Sequence, residues 1–178
     1  MNSLTKALAI VATLVVVALV SCELRYNDRA TNQYTAGGED WYSLDSDGLY
    51  HMRRLAEFRK SEADSLPVAF DGNLNYPDGA IVPWPPYYTL IADNLVDEGQ
   101  EANLFEMQMA SLPMKFSVAT SVLVALAGMM LAGPIAGFVA GMLHATNYSA
   151  IHYGSIGVAD HHSLVSLLSC LLLVAFSF

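Results

Sequence analysis

Residues 4–21 are Ala, Val, Leu and Ile almost without interruption, with Lys6 among the first of them. From Phe116 the chain is apolar again to its end, apart from the neighbourhood of Asp160. A polar block lies between. The pattern predicts an all-α integral membrane protein whose first span covers residues 1–22, followed by a large external loop at 23–114. Gly133-Pro134 then divides residues 115–153 into two apolar parts, each near the length of a short span, so a transmembrane helical hairpin is expected there. Ala132, Gly133, Ala136, Gly137, Ala140 and Gly141 would let its helices approach closely. A second external loop follows at 154–162. Residues 163–178 read as the start of a fourth span, a little short of the ~20 residues usually needed and without a charged anchor, so the expectation is of a truncated chain.

Within the polar block, Leu49, Met52, Leu55, Ala56 and Phe58 fall near helical spacing. Arg53, Arg54, Glu57, Arg59 and Lys60 fill the other positions, which predicts an amphipathic helix after Gly48. Residues 25–38 have no clear periodicity and read as loop. Ser65-Leu66-Pro67 and the run Phe70-Asp71-Gly72-Asn73-Leu74-Asn75-Tyr76-Pro77-Asp78-Gly79 carry turn-forming residues. Three prolines in Pro83-Trp84-Pro85-Pro86 impose an extended approach, and Pro86 suits the first turn of a helix carrying Tyr87, Leu90, Ile91, Asn94 and Leu95. Trp84, Tyr87 and Tyr88 equally suit an aromatic anchor at the lipid headgroups. A further helix over residues 100–111 is expected to lead back to the bilayer.

Composition sharpens this division. Hydrophobic residues make up 54% of the 178 and charged ones 14%, unlike a typical soluble domain. All but one of the 17 acidic residues lie in the polar block, and the net charge of −9 argues against nucleic acid and for a partner that brings cations. Lys6 places the amino terminus on the cytoplasmic side and the acidic loops on the other face of the plasma (inner) membrane. Leu19-Val20-Ser21-Cys22 resembles a lipoprotein cleavage box, but the later apolar segments favour an uncleaved first span. Cys22 and Cys170 both sit in or beside apolar segments, which gives no disulfide framework.

Candidate chemistry gathers at two acidic clusters. Asp45 and Asp47 lie two apart, so in an extended loop both can turn toward one hard cation, with Gly48 allowing a sharp turn. Capping of the following helix by Ser46 or Asp47 is the competing use. Asp160 is the one formally charged side chain after Lys115. A lone carboxylate between apolar spans is costly unless paired, hydrated or metal-bound. Asp160 and His162 can chelate one ion, whereas His161 would point elsewhere on an extended backbone; Asp160 can also cap the last helix. His144 and His152 read as hydrogen-bonded helix-end residues. Two crossings between Asp47 and Asp160 would put them on the same side of the membrane.

The order of these stretches resembles the oligosaccharyltransferase catalytic subunits, membrane enzymes that N-glycosylate proteins from a lipid-linked donor. Asp45-Ser46-Asp47-Gly48-Leu49-Tyr50-His51-Met52-Arg53 is similar to the family's first acidic motif and its Tyr-His-x-Arg. Leu74-Asn75-Tyr76-Pro77-Asp78-Gly79-Ala80 and Trp84-Pro85-Pro86 match two later stretches. Asp160-His161-His162 is similar to the archaeal-type Asp-x-His after a helical hairpin. The resemblance covers nearly the whole chain and implies the first part of a GT-C type multi-span helix bundle.

It also implies roles. Asp47, Asp160 and His162 would bind Mg²⁺ or Mn²⁺, with Asp47 also contacting the acceptor asparagine amide as the catalytic carboxylate. Asp45 and His161 would stand behind these ligands, and Tyr50, His51, Arg53 and Trp84 would meet substrate or a neighbouring surface. The partners implied are a polyprenyl diphosphate-linked oligosaccharide, an acceptor polypeptide with Asn-x-Ser/Thr, and the membrane; nucleic acid is not among them. The family's later spans, a catalytic glutamate loop and a Trp-Trp-Asp motif do not occur in this sequence, so inactivity of the chain alone is expected. The alternative is a non-catalytic membrane scaffold or lipoprotein that retains the loop.

Overall fold

The computed structural model describes residues 2–28, 32–34, 41–43, 45–60, 69–97 and 102–177. The turn-rich stretch at 35–40, the Ser65-Leu66-Pro67 break and the start of the helix expected at Gln100 lie outside them. The chain is mostly helical, with seven helices among the described residues.

The first helix, α1 (Ser3–Asn27), is capped by Asn2, whose side-chain oxygen accepts from the Thr5 amide at 2.8 Å. Its apolar residues Leu4, Leu8, Val11, Val15 and Leu19 stay exposed in the folded chain. Left uncovered by its own fold, α1 is long and apolar enough to cross a membrane, a character that a signal sequence near an amino terminus shares. It also runs past the boundary expected at residue 22. The extra turn is held because Arg25 finds partners on neighbouring helices, donating to Ser117 Oγ at 2.7 Å and to the Ala145 carbonyl at 3.1 Å.

Part of the stretch read as loop is a hairpin, in which β1 (Asn32–Tyr34) pairs antiparallel with β2 (Trp41–Ser43). The amphipathic pattern after Gly48 forms α2 (Ser46–Lys60), with Met52 and Leu55 buried. A short ribbon follows, β3 (Phe70–Asp71) against β4 (Ala80–Ile81). Next comes α3 (Tyr87–Leu95), with Pro86 at its N-cap, as the proline run anticipates.

No break occurs at residue 114. The helix expected near 100–111 and the first arm of the hairpin form one helix, α4 (Ala102–Ala132), with Pro113 inside it. Proline normally disrupts a helix interior. Here Met109, Leu112 and Phe116 pack on one continuous core with Leu55, Tyr88, Ala92, Val96, Ile156 and Ala159, and each large side chain buried this way contributes about 1.5–3 kcal/mol. Burial on both sides of Pro113 outweighs the single lost backbone bond.

Gly133, at φ 88°, makes the turn into α5 (Pro134–Thr146), for which Pro134 supplies the first turn. The two helices pack closely: a Cβ at Gly137 would come within 2.6 Å of the Ala125 carbonyl oxygen. At 13 residues α5 is only about 20 Å long, less than the ~30 Å hydrocarbon core. It stops because Asn147 turns extended and caps α6 (Tyr148–His152), accepting from the Ala150 amide at 3.1 Å. The last helix, α7 (His162–Ser177), returns along α4. By length and apolarity two helices can cross a membrane, α1 and the stretch Leu104–Ala132 of α4.

Candidate metal centre

Two segments far apart in sequence build the site, the first turns of α2 and the loop between α6 and α7. Asp45 occupies the cap position of α2: its carbonyl accepts from the Leu49 amide at 3.1 Å, and its carboxylate faces the Asp47 amide at 3.4 Å. Capping therefore falls to Asp45 rather than to Ser46 or Asp47, and Asp47 is half-buried in the first turn, where the helix dipole favours an anion. One turn further on, His51 lies on the same face, 1% exposed.

The second segment is buried throughout residues 154–160. Buried loop backbone needs partners. The Gly157 amide donates to the Ala110 carbonyl of α4 at 3.1 Å, Ser155 Oγ to Asp28 at 2.8 Å and to the Ile151 carbonyl at 2.7 Å, and the Tyr88 hydroxyl to the Ala159 carbonyl at 3.3 Å. Burial, and secondarily the negative charge of Asp160, push the Tyr88 phenol far up, so it remains a donor. These anchors deliver Asp160 to the inside of the molecule.

The Asp160 carboxylate, 3% exposed, is surrounded by imidazoles. One oxygen accepts from the His161 amide at 2.6 Å, contacts His161 Nδ1, and lies 3.5 Å from His51 Nε2; the other lies 3.0 Å from His162 Nε2. Burial alone would raise its pKa. Hydrogen bonds from His51 and the His161 amide, with the charges of His161 and His162, outweigh it and hold the carboxyl at about 2. Aromatic rings close the remaining sides: Tyr88 is 4.7 Å and Trp84 5.9 Å from the His51 ring, centroid to centroid, and Tyr50 is 4.9 Å from Trp84. Arg54 fixes the proline run by donating to the Trp84 carbonyl at 3.1 Å, and Arg53 pairs with Asp71.

One ligand atom from each of His51, Asp160 and His161 lies within 4.8 Å of the others. The separations of 3.3 Å between His51 Nε2 and His161 Nδ1 and 3.5 Å between His51 Nε2 and Asp160 match the edges of a shell with nitrogen and oxygen at ~2.1 Å. The third edge is a closer hydrogen-bond contact that has to open on metal binding. His51 Nδ1 is buried without a partner among the described residues, so none of them selects the tautomer. The residues present fit a divalent cation.

The expected residues are distributed unevenly. Asp160 is central, and His162 touches its outer oxygen with a side chain 50% exposed. The chain turns at Asp160-His161 into α7 instead of running extended, which corrects the expectation that His161 points away. Asp47 is outside the close group, one helical turn from His51. His51, expected among the contact residues, faces Asp160 directly; its spacing of four from Asp47 on an amphipathic helix is the signal that could have placed it. Comparisons of the chain with protein-family models, with curated proteins and with solved structures give no match.

Proposed function

We propose that this chain is the donor- and metal-binding part of an oligosaccharyltransferase-like membrane glycosyltransferase, which moves oligosaccharide from a polyprenyl diphosphate to asparagine in Asn-x-Ser/Thr. The observation that carries this reading is the meeting of the two acidic motif stretches. His51, from the segment that includes Asp47, lies 3.5 Å from Asp160, and Trp84 of the Trp-Pro-Pro stretch packs against both His51 and His161. Stretches that resemble one family in order thus share one place.

On this reading His51, Asp160 and His161 hold the cation, with His162 beside Asp160 and Asp47 one helical turn from His51. A bound divalent cation supplies positive charge to offset the diphosphate leaving group. Two imidazoles in the donor set favour Mn²⁺ over Mg²⁺, which takes oxygen almost exclusively. Asp47, exposed enough to meet an acceptor, accepts N–H bonds from the asparagine amide. Those bonds localise the nitrogen lone pair that resonance otherwise draws into the carbonyl. Tyr50 and Trp84 offer half-buried rings to the glycan. On this reading the site faces the non-cytoplasmic side, which requires the short α5 to return the chain across the bilayer after α4.

The test is binding of a lipid-linked oligosaccharide to the purified chain in detergent, with and without Mn²⁺. Mn²⁺-dependent binding that Asp160→Ala abolishes is expected. Binding that ignores both Mn²⁺ and this substitution overturns the reading and leaves a membrane scaffold.

A further inference from the structure

A second feature lies beside the metal centre and needs no metal. A cavity of about 440 Å³ opens where α5 ends and α7 begins, walled by Ser117, His144, Asn147, His162 and Ser163. No acidic side chain lines it among the described residues. Ser163, in the cavity wall, is 4% exposed, and its hydroxyl is itself buried with no hydrogen-bond partner among the described residues.

Behind Ser117 stands Arg25, which is 0% exposed. Its Nε donates to Ser117 Oγ at 2.7 Å and its Nη1 to the Ser21 carbonyl at 3.0 Å and the Ala145 carbonyl at 3.1 Å, while Nη2 has no partner among the described residues. No carboxylate pairs with it among the described residues. A buried guanidinium without a counter-ion is costly and favours an anion nearby. Ser117 carries that field to the cavity wall, where His144 joins the same network through Ser121 Oγ at 2.9 Å.

We propose that this cavity binds a phosphate group, either the phosphodiester of a membrane lipid headgroup or free phosphate. Hydroxyls and imidazoles converge from α4, α5 and α7, and a tetrahedral oxyanion meets donors arriving from several directions where a planar carboxylate meets few. The level also suits a lipid. The cavity lies where α5 ends and α7 begins, its lining residues Val165 and Tyr153 are 51% and 46% exposed, and α5 and α7 carry further uncovered apolar side chains, Leu143 and Leu172, along which acyl chains can lie. Ser163 donates to the phosphate oxygens; the Ser117 proton goes to the Ala150 carbonyl at 3.2 Å, and Arg25 supplies the charge from behind Ser117.

The experiment uses the full chain in dodecyl maltoside with EDTA, so it is independent of metal and glycan transfer. Line broadening of the ³¹P signal of inorganic phosphate reads one arm; native mass spectrometry after extraction from phosphatidylglycerol vesicles reads the other. Ser163→Ala, which removes one hydroxyl, is expected to weaken binding about tenfold, as loss of a hydrogen bond to a charged group does. Arg25→Gln is expected to abolish it, and Arg59→Ala, a cation outside the cavity wall, to leave it unchanged. Should Arg25→Gln fail to fold, Ser163→Ala still decides. Loss in the phosphate arm identifies free phosphate, and loss in the lipid arm alone identifies the headgroup. Absence of binding in both arms, or binding that Ser163→Ala leaves intact, overturns the proposal.

Discussion

Asp160 is the residue whose removal the structure punishes most. Its carboxylate accepts from the His161 amide and faces three imidazoles, so Asp160→Ala leaves several buried polar groups unmatched. We expect a loss of about 3–5 kcal/mol, the range for breaking a buried charged pair, read as a lower unfolding midpoint in detergent. The pH dependence has a definite sign. Because the folded carboxyl sits at about 2, below its ordinary 3.8, its contribution is present above the ordinary value and is lost as pH falls through the folded one. Thermal scans of the wild type and of Asp160→Asn should therefore converge between these two values and diverge above them; parallel curves down to pH 2 would contradict the assignment. Metal preference belongs to the same residues. Mn²⁺ should bind more tightly than Mg²⁺ in calorimetric titration, and His51→Ala should weaken Mn²⁺ by about 10-fold or more while barely changing Mg²⁺.

Helix packing sets the next scale. Gly137 of α5 lies so close to α4 that a Cβ there would meet the Ala125 carbonyl oxygen at 2.6 Å and the Met129 amide nitrogen at 2.9 Å, both backbone atoms that cannot step aside. Gly137→Ala should cost about 1–3 kcal/mol, as overpacking does. The matched control is Gly72→Ala, where nothing lies within 4 Å and the change should stay within about 0.5 kcal/mol. Equal effects at the two positions would mean that the α4–α5 contact is not tight. At this scale much was legible in the sequence. Helical spacing of Leu49, Met52 and Leu55 marks α2, Pro86 marks the start of α3, and Gly133-Pro134 marks the turn between α4 and α5. The continuity of α4 through Pro113 was not legible, because the burial that holds it there comes from α2, α3 and the 154–164 segment.

For the whole molecule, the meeting of α2 with the Asp160 loop requires the chain to leave and return on one side of any membrane it crosses. Ser46→Cys and His162→Cys, both at exposed positions, in a background with Cys22→Ser and Cys170→Ser, should react alike with an impermeant thiol reagent added to intact cells. Labelling of only one would break the hairpin and the shared site together. The sequence alone determined which segments are apolar, that helices follow Gly48 and Pro86, that turns fall at 70–79 and Gly133-Pro134, and that acid is confined to the polar block and Asp160, since each follows from local periodicity and composition. It did not determine that His51 and His161, 110 residues apart, face each other at 3.3 Å, or that Arg25 reaches Ser117 across 92 residues. Such pairs depend on which apolar faces bury one another once the loops close. A single polar residue in an apolar stripe carries no mark of its partner until that packing is made.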